Sequence, residues 1–186
     1  MTETVDAGTF ELPGFRGVLM YPGTAAYDEA RAVFNGMIDR RPALIARCTT
    51  ADDVVAAVNV ARDRALPLSV YGGGHGVTGS AVIDDGLCID LRGLKGIAVD
   101  VEQRRVRAEG GVTWGELDAA TQEHGLAVTG GRVTTTGIAG LALGSGSGWL
   151  ERKLGFTCDN LIEGEVVTAD GRQVRASADE NPDLFW

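Results

Sequence analysis

Apolar residues recur at two different periods along this chain, and the switches between them mark out its elements. Ala43-Leu44-Ile45-Ala46 is a short unbroken apolar run, the pattern of a buried strand. After it Val54, Val58, Ala61 and Ala65 recur at helical spacing, and Thr50 stands where that helix needs an N-cap. Asp52 and Asp53 fall in its first turn, where the helix dipole favours negative charge. Pro67-Leu68-Ser69-Val70 reads as a second strand, so residues 43–71 predict a β-α-β unit. Leu87-Cys88-Ile89-Asp90-Leu91 predicts a further strand. The period then drops to two: Ile97, Val99 and Val101 are answered by Val106 and Ala108, which predicts a hairpin. Thr113 and Glu116 form a capping box for a helix carrying Trp114, Leu117 and Ala120 and ending at Gly125. Trp149 to Leu154 predicts a helical turn closed by Gly155, and Asn160 to Thr168 a strand. That strand turns at Ala169-Asp170-Gly171 and returns through Gln173-Val174-Arg175-Ala176. Residues 1–36 are punctuated by Pro and Gly, with one helical turn at Tyr27 to Arg31, and read as a strap laid on the domain.

Composition changes this picture in three places. With 186 residues, 44% hydrophobic and 23% charged, the chain can bury a core. Its formal charge of -9 repels nucleic acid and anionic membrane surfaces at long range, so an anionic ligand has to be held locally by amides and helix ends. Five glycines precede residue 72 and twenty-two follow from Gly72 onward, which separates a conventional first part from one built for close backbone approach. Cys48, Cys88 and Cys158 are odd in number and form no CxxC, so neither a disulfide framework nor a zinc site is indicated. Met1 to Phe15 has no basic stretch followed by an apolar one, and no run has the length of a membrane span. A cytoplasmic protein of a reducing compartment is expected.

The candidate chemistry centres on Tyr71-Gly72-Gly73-Gly74-His75-Gly76. Three glycines leave amide N–H groups able to crowd round an anion such as a diphosphate, and a histidine beside them can serve as ligand, base or nucleophile. A plain tight turn is the competing reading. The run follows the second strand and opens no helix, which excludes a Rossmann fingerprint, and no Gly-Lys-Ser/Thr ends it, which excludes a P-loop. His124 falls at the end of a helix, where a cation complements the dipole. His75 has no such structural reason. The second cluster, Gly130 to Leu150, combines glycines with the hydroxyls of Thr134, Thr135, Thr136, Ser145 and Ser147. It fits either a compact helix and loop packed glycine to glycine, or a surface on which a flat ring system and a phosphate chain lie.

The β-α-β unit, Gly72-Gly73-Gly74-His75, Trp114-Gly115-Glu116-Leu117, Gly144-Ser145-Gly146-Ser147-Gly148-Trp149-Leu150 and Asp159-Asn160-Leu161 occur in one order. Together they resemble the FAD-binding domain of the vanillyl-alcohol oxidase and p-cresol methylhydroxylase superfamily, and most closely its berberine bridge enzyme-like branch. The resemblance runs from about residue 20 to the end. It implies an α+β fold in two lobes, at residues 37–95 and 96–186 behind the strap of 1–36, with the second lobe a mixed, largely antiparallel sheet and FAD between the two. It carries over as cofactor contacts Gly72, Gly73, Gly74, His75 and Gly76 from the first cluster, and Gly131, Thr135, Gly137, Gly140, Gly144, Gly146 and Trp149 from the second. His75 is implied as the covalent attachment point to the 8α carbon of the flavin.

Some members add a cysteinyl link, but Val133 occupies that cysteine's place, so a second bond is not expected. Ser145 replaces the middle glycine of the family's run, and Cys158 reads as a buried small hydrophobe. The implied activity is oxidation of a small-molecule substrate, with hydride passing to flavin N5 and then oxygen reoxidising the ring. The second lobe is expected to be incomplete and the substrate domain absent from this chain, and Phe185-Trp186 to favour self-association. Two alternatives stand beside this: a non-catalytic flavin- or nucleotide-binding module, and a flavin-dependent reductase of nucleotide sugars, which also resembles the first lobe.

Overall fold

Alternation along the first strands sorts their side chains into two cores, one on each face of a sheet. In the computed structural model, which describes residues 11–186, strands β1 (Val18–Met20), β2 (Leu44–Arg47), β3 (Leu68–Tyr71) and β4 (Leu87–Asp90) form this sheet in the order β1-β2-β4-β3. Leu44 and Ala46 of β2, and Leu87 and Ile89 of β4, point to one face with Cys48. There they meet Ala57 and Val58 of helix α2 (Ala51–Asp63). Ile45 and Cys88 point to the other, where Tyr27 and Ala30 of helix α1 (Ala25–Arg31), Tyr71 and Val82 close over them. Covered on both faces, β4 is buried along its whole length.

The expected β-α-β unit is present as β2-α2-β3, and the structure adds two features to what was expected. β4 lies between β2 and β3, parallel to both, with Ile45 opposite Cys88 and Val70 opposite Ile89. The strap is more than a strap, because Val18-Leu19-Met20 extends the sheet antiparallel to β2 and Tyr27 is buried with its hydroxyl on the Pro42 carbonyl at 2.6 Å. Pro and Gly punctuation hid a three-residue strand. The first ten residues of the expected strap lie outside the described residues.

Caps set the helix limits. Thr50 accepts from the Asp53 N–H at 3.2 Å, and the Asp53 carboxylate accepts from the Thr50 N–H at 3.0 Å, a reciprocal box that starts α2. Asp53 is fully buried and also accepts from Arg16 N–H, Thr49 N–H and the Thr49 hydroxyl. Ala65 does not continue the helical stripe: it is exposed, past the end of α2, at φ +52°.

The second part carries helix α3 (Trp114–Gln122) against the hairpin of β5 (Ile97–Asp100) and β6 (Arg105–Ala108), with Val112, Trp114 and Leu117 at its core. Helix α4 (Ile138–Leu143) packs on the same core through Ile138 and Leu141. Helix α5 (Glu151–Leu154), the hairpin of β7 (Glu163–Val167) and β8 (Gln173–Ser177) and helix α6 (Pro182–Phe185) complete the chain. Among the described residues of this second part the strands form two separate antiparallel two-stranded ladders, β5-β6 and β7-β8. The last hairpin is tied back to α2: Arg62 donates to the Asp170 carbonyl at 2.8 Å, and Gly171 sits so close to Asn59 that a Cβ would overlap it.

Candidate functional site

The first glycine loop is anchored by an aromatic ring and a buried ion cluster. Tyr71 ends β3 buried, and its hydroxyl donates to the Ala32 carbonyl at 2.7 Å. The Arg92 guanidinium lies 3.8 Å from the centre of that ring, held there by Asp90, to which it donates from Nε at 2.9 Å and Nη2 at 2.9 Å. Arg47 Nε closes the cluster on Asp90 Oδ2, the oxygen that Arg92 Nη2 also reaches, at 2.8 Å. Burial would raise the Asp90 carboxyl pKa, but Arg92 and Arg47 outweigh it and hold the group below its ordinary value. Gly74 then turns at φ +70°, with its α-carbon so close to the Tyr71 phenol that any side chain would collide. Only glycine serves there.

His75 emerges half-buried from this turn. Its ring stacks on Phe34, centroids 4.2 Å apart and planes 18° from parallel, and its Nε2 is 2.9 Å from Thr135 Oγ1. Burial lowers its pKa, which favours the neutral, nucleophilic imidazole at pH 7.

The second cluster meets the first at one point. A Cβ on Gly73 would overlap the Gly137 backbone, and one on Gly137 would lie 2.5 Å from the Gly73 nitrogen. Thr113 bridges Gly137 from the start of α3, and the Ile138 N–H donates to the Val112 carbonyl at 3.0 Å. Thus Gly73, His75, Thr135 and Gly137 come together, with Gly72 beside Gly110. Gly140 of α4 has nothing within 4 Å of its Cβ position, and Gly76 meets only Ser80 Oγ at 3.9 Å, so both leave open backbone.

The other predicted contacts divide between packed and open positions. Gly131 lies against Trp114 and Leu141, and Gly146, at φ +79°, against Thr157, whose hydroxyl donates to the Thr129 carbonyl at 2.9 Å. Gly144 has only ordinary contact with α4 backbone carbonyls. Trp149 is 81% exposed, with the Arg132 guanidinium 5.2 Å from the centre of its ring. Arg132 in turn donates to Ser147 Oγ at 3.0 Å, and Ser147 to Glu151 at 2.5 Å. The Trp114 Nε1 donor is buried beside Gly131 with no partner. Ser145 adopts φ +76° and is exposed, so its side chain points to solvent from a glycine-type turn. Cys158 is exposed, which corrects its reading as buried: it opens a one-turn 3-10 segment, Cys158–Asn160, on the surface.

Phe34 and the Tyr71-Arg92-Asp90 assembly were not foreseen. Phe34 lies in the unpatterned strap and carries no local signal. Asp90-Leu91-Arg92 did offer one, an acid and a base two residues apart at the end of an apolar strand.

The FAD binding domain family matches residues 42–177 of the chain. (R)-6-hydroxynicotine oxidase of Paenarthrobacter nicotinovorans is 39% identical over 171 residues, 92% of this chain and 37% of that protein. The crystal structure of 6-hydroxy-D-nicotine oxidase from Arthrobacter nicotinovorans superposes with a TM-score of 0.90 at 39% identity, covering 92% of this chain and 38% of that one. A glucooligosaccharide oxidase from Acremonium strictum, described with a 6-S-cysteinyl, 8α-N1-histidyl FAD, superposes at 0.84 and 30% identity over 91% of this chain and 36% of that one. The chain thus spans little more than a third of the length of these relatives.

Proposed function

This chain belongs to the FAD binding domain family, and on that premise we propose that it is the cofactor-holding part of an FAD-linked oxidase in which His75 forms a covalent bond to the flavin. The observation that carries the reading is the position of His75. A half-buried imidazole with lowered pKa stands where the two glycine clusters touch, fixed by Thr135 and Phe34. The histidyl flavin described for the Acremonium strictum relative supports it.

The residues present fit such a group. Gly76, three residues after Gly73, and Gly140, three after Gly137, leave backbone open, and the unpartnered Trp114 Nε1 beside Gly131 is a further donor. The Gly72–Gly76 amides would receive the diphosphate, which suits a chain whose net charge of -9 gives it no attraction at long range. Trp149 and Leu143, both over 80% exposed, offer apolar cover to a flat ring. When bound, the flavin would supply hydride acceptance at N5 from a substrate C–H and transfer of the electrons to dioxygen. His75 tethers, and the glycine backbone binds and orients. Val133, in the place of the second linking residue, restricts attachment to one bond.

The test is acid precipitation of protein purified with FAD available. The pellet stays yellow if the link forms through His75, and His75→Ala holds only dissociable flavin. Flavin that washes out of the wild-type protein supports the second reading, a module that binds the cofactor without fixing it.

A further inference from the structure

His75 is held at two places by side chains rather than by the glycine backbone. Nε2 lies 2.9 Å from Thr135 Oγ1, and the ring lies on Phe34. Phe34 is itself fixed to the loop, because its N–H donates to the Gly74 carbonyl at 3.1 Å. Two torsions and a tautomer decide whether an imidazole can attack along a given line. The stack limits the plane of the ring. The hydrogen bond selects the edge that faces the second cluster and leaves Nδ1, among the described residues, as the nitrogen without a side-chain partner.

Resting on the reading of His75 as the attachment point, we propose that Thr135 and Phe34 are positioning residues for the formation of that bond. Nε2–H donates to Thr135 Oγ1, which keeps the Nδ1 lone pair unprotonated, and Phe34 sets the angle at which it approaches. In the step itself Nδ1 bonds to the 8α carbon, which loses one proton. The Nε2 proton leaves past Thr135 to solvent. The bound flavin would accept the two electrons and dioxygen would take them with the two protons as hydrogen peroxide. A hydroxyl is suited to this place because it accepts from Nε2–H before the bond forms and donates to the bare Nε2 afterwards, without moving. Thr135 is exposed, so its own hydrogen can turn to water in the first state.

The experiment follows acid-stable flavin against time at saturating FAD, and identifies the bonded nitrogen by NMR of the released flavin peptide. Loss of alignment is expected to slow linkage by between about tenfold and a hundredfold. Thr135→Val, equal in size but unable to hydrogen-bond, should show that slowing and a mixture of Nδ1 and Nε2 products, and Thr135→Ser should restore rate and product. Phe34→Leu should slow linkage where Phe34→Tyr does not. Wild-type rate and a single Nδ1 product in Thr135→Val and Phe34→Leu would overturn the positioning role while leaving attachment at His75 intact. Absence of acid-stable flavin in the wild-type protein would instead remove the attachment itself, and this proposal with it.

Discussion

Gly73 and Gly137 lie backbone against backbone, so close that neither can carry a side chain. This single contact joins the loop after β3 to the start of α4, and it sets the separation of His75 from Thr135.

Substitution separates glycines that are packed from glycines that are open. Gly73→Ala forces a methyl onto backbone that cannot swing away, and should destabilise by about 1–3 kcal/mol in denaturant unfolding. Gly140→Ala has room and lies in a helix, so it should stabilise by about 0.5–1 kcal/mol. If a cofactor lies on this face, the same methyl should weaken FAD binding, which a fluorescence titration reads.

Asp90 is the hinge of the cluster beneath the loop, buried between Arg47 and Arg92. Asp90→Asn leaves Arg92 without its counter-charge above Tyr71. The expected loss is about 3 kcal/mol, by urea unfolding, because a buried charge is then uncompensated.

Acid should expose the α2 cap. Burial opposes the charged Asp53 carboxylate, but the hydrogen bonds from Arg16, Thr49 and Thr50 prevail and bring its pKa down to about 2. A carboxyl depressed in the folded state adds stability above its unfolded pKa and loses it as pH falls through the folded one. The contribution, on the order of 2 kcal/mol, should therefore disappear between about pH 4 and pH 2, and Asp53→Asn should flatten that part of a stability-against-pH curve.

Linkage of flavin should follow the neutral imidazole. Burial holds the His75 pKa below its ordinary value, so the midpoint of the fall in acid-stable flavin formation on acidification should lie below that of a free imidazole, about 6.5. A fall that begins well above that value would contradict the burial.

Thiol reagents should distinguish the cysteines. Cys48 and Cys88 are buried, which pushes their pKa values up to about 12 and about 11, whereas Cys158 is exposed. One thiol should react in the native protein and all three after denaturation, and Cys158→Ser should abolish the native reaction.

The sequence by itself determined what depends on near neighbours. Thr50 as a cap, and Thr113 with Glu116 as a capping box, mark helix starts because a cap is made within one turn, and Ile97 to Ala108 reads as a hairpin because strand period and turn are local. The glycine loop and its histidine were legible for the same reason. Only the tertiary structure decided which distant pieces meet. Insertion of β4 between β2 and β3, Phe34 against His75, Thr135 on Nε2 and the solvent exposure of Cys158 all depend on burial shared between segments far apart in the chain. Periodicity records which face of an element is apolar, but not which partner covers it. At Gly73 and Gly137 the residue type announced close approach, and packing alone chose what approaches.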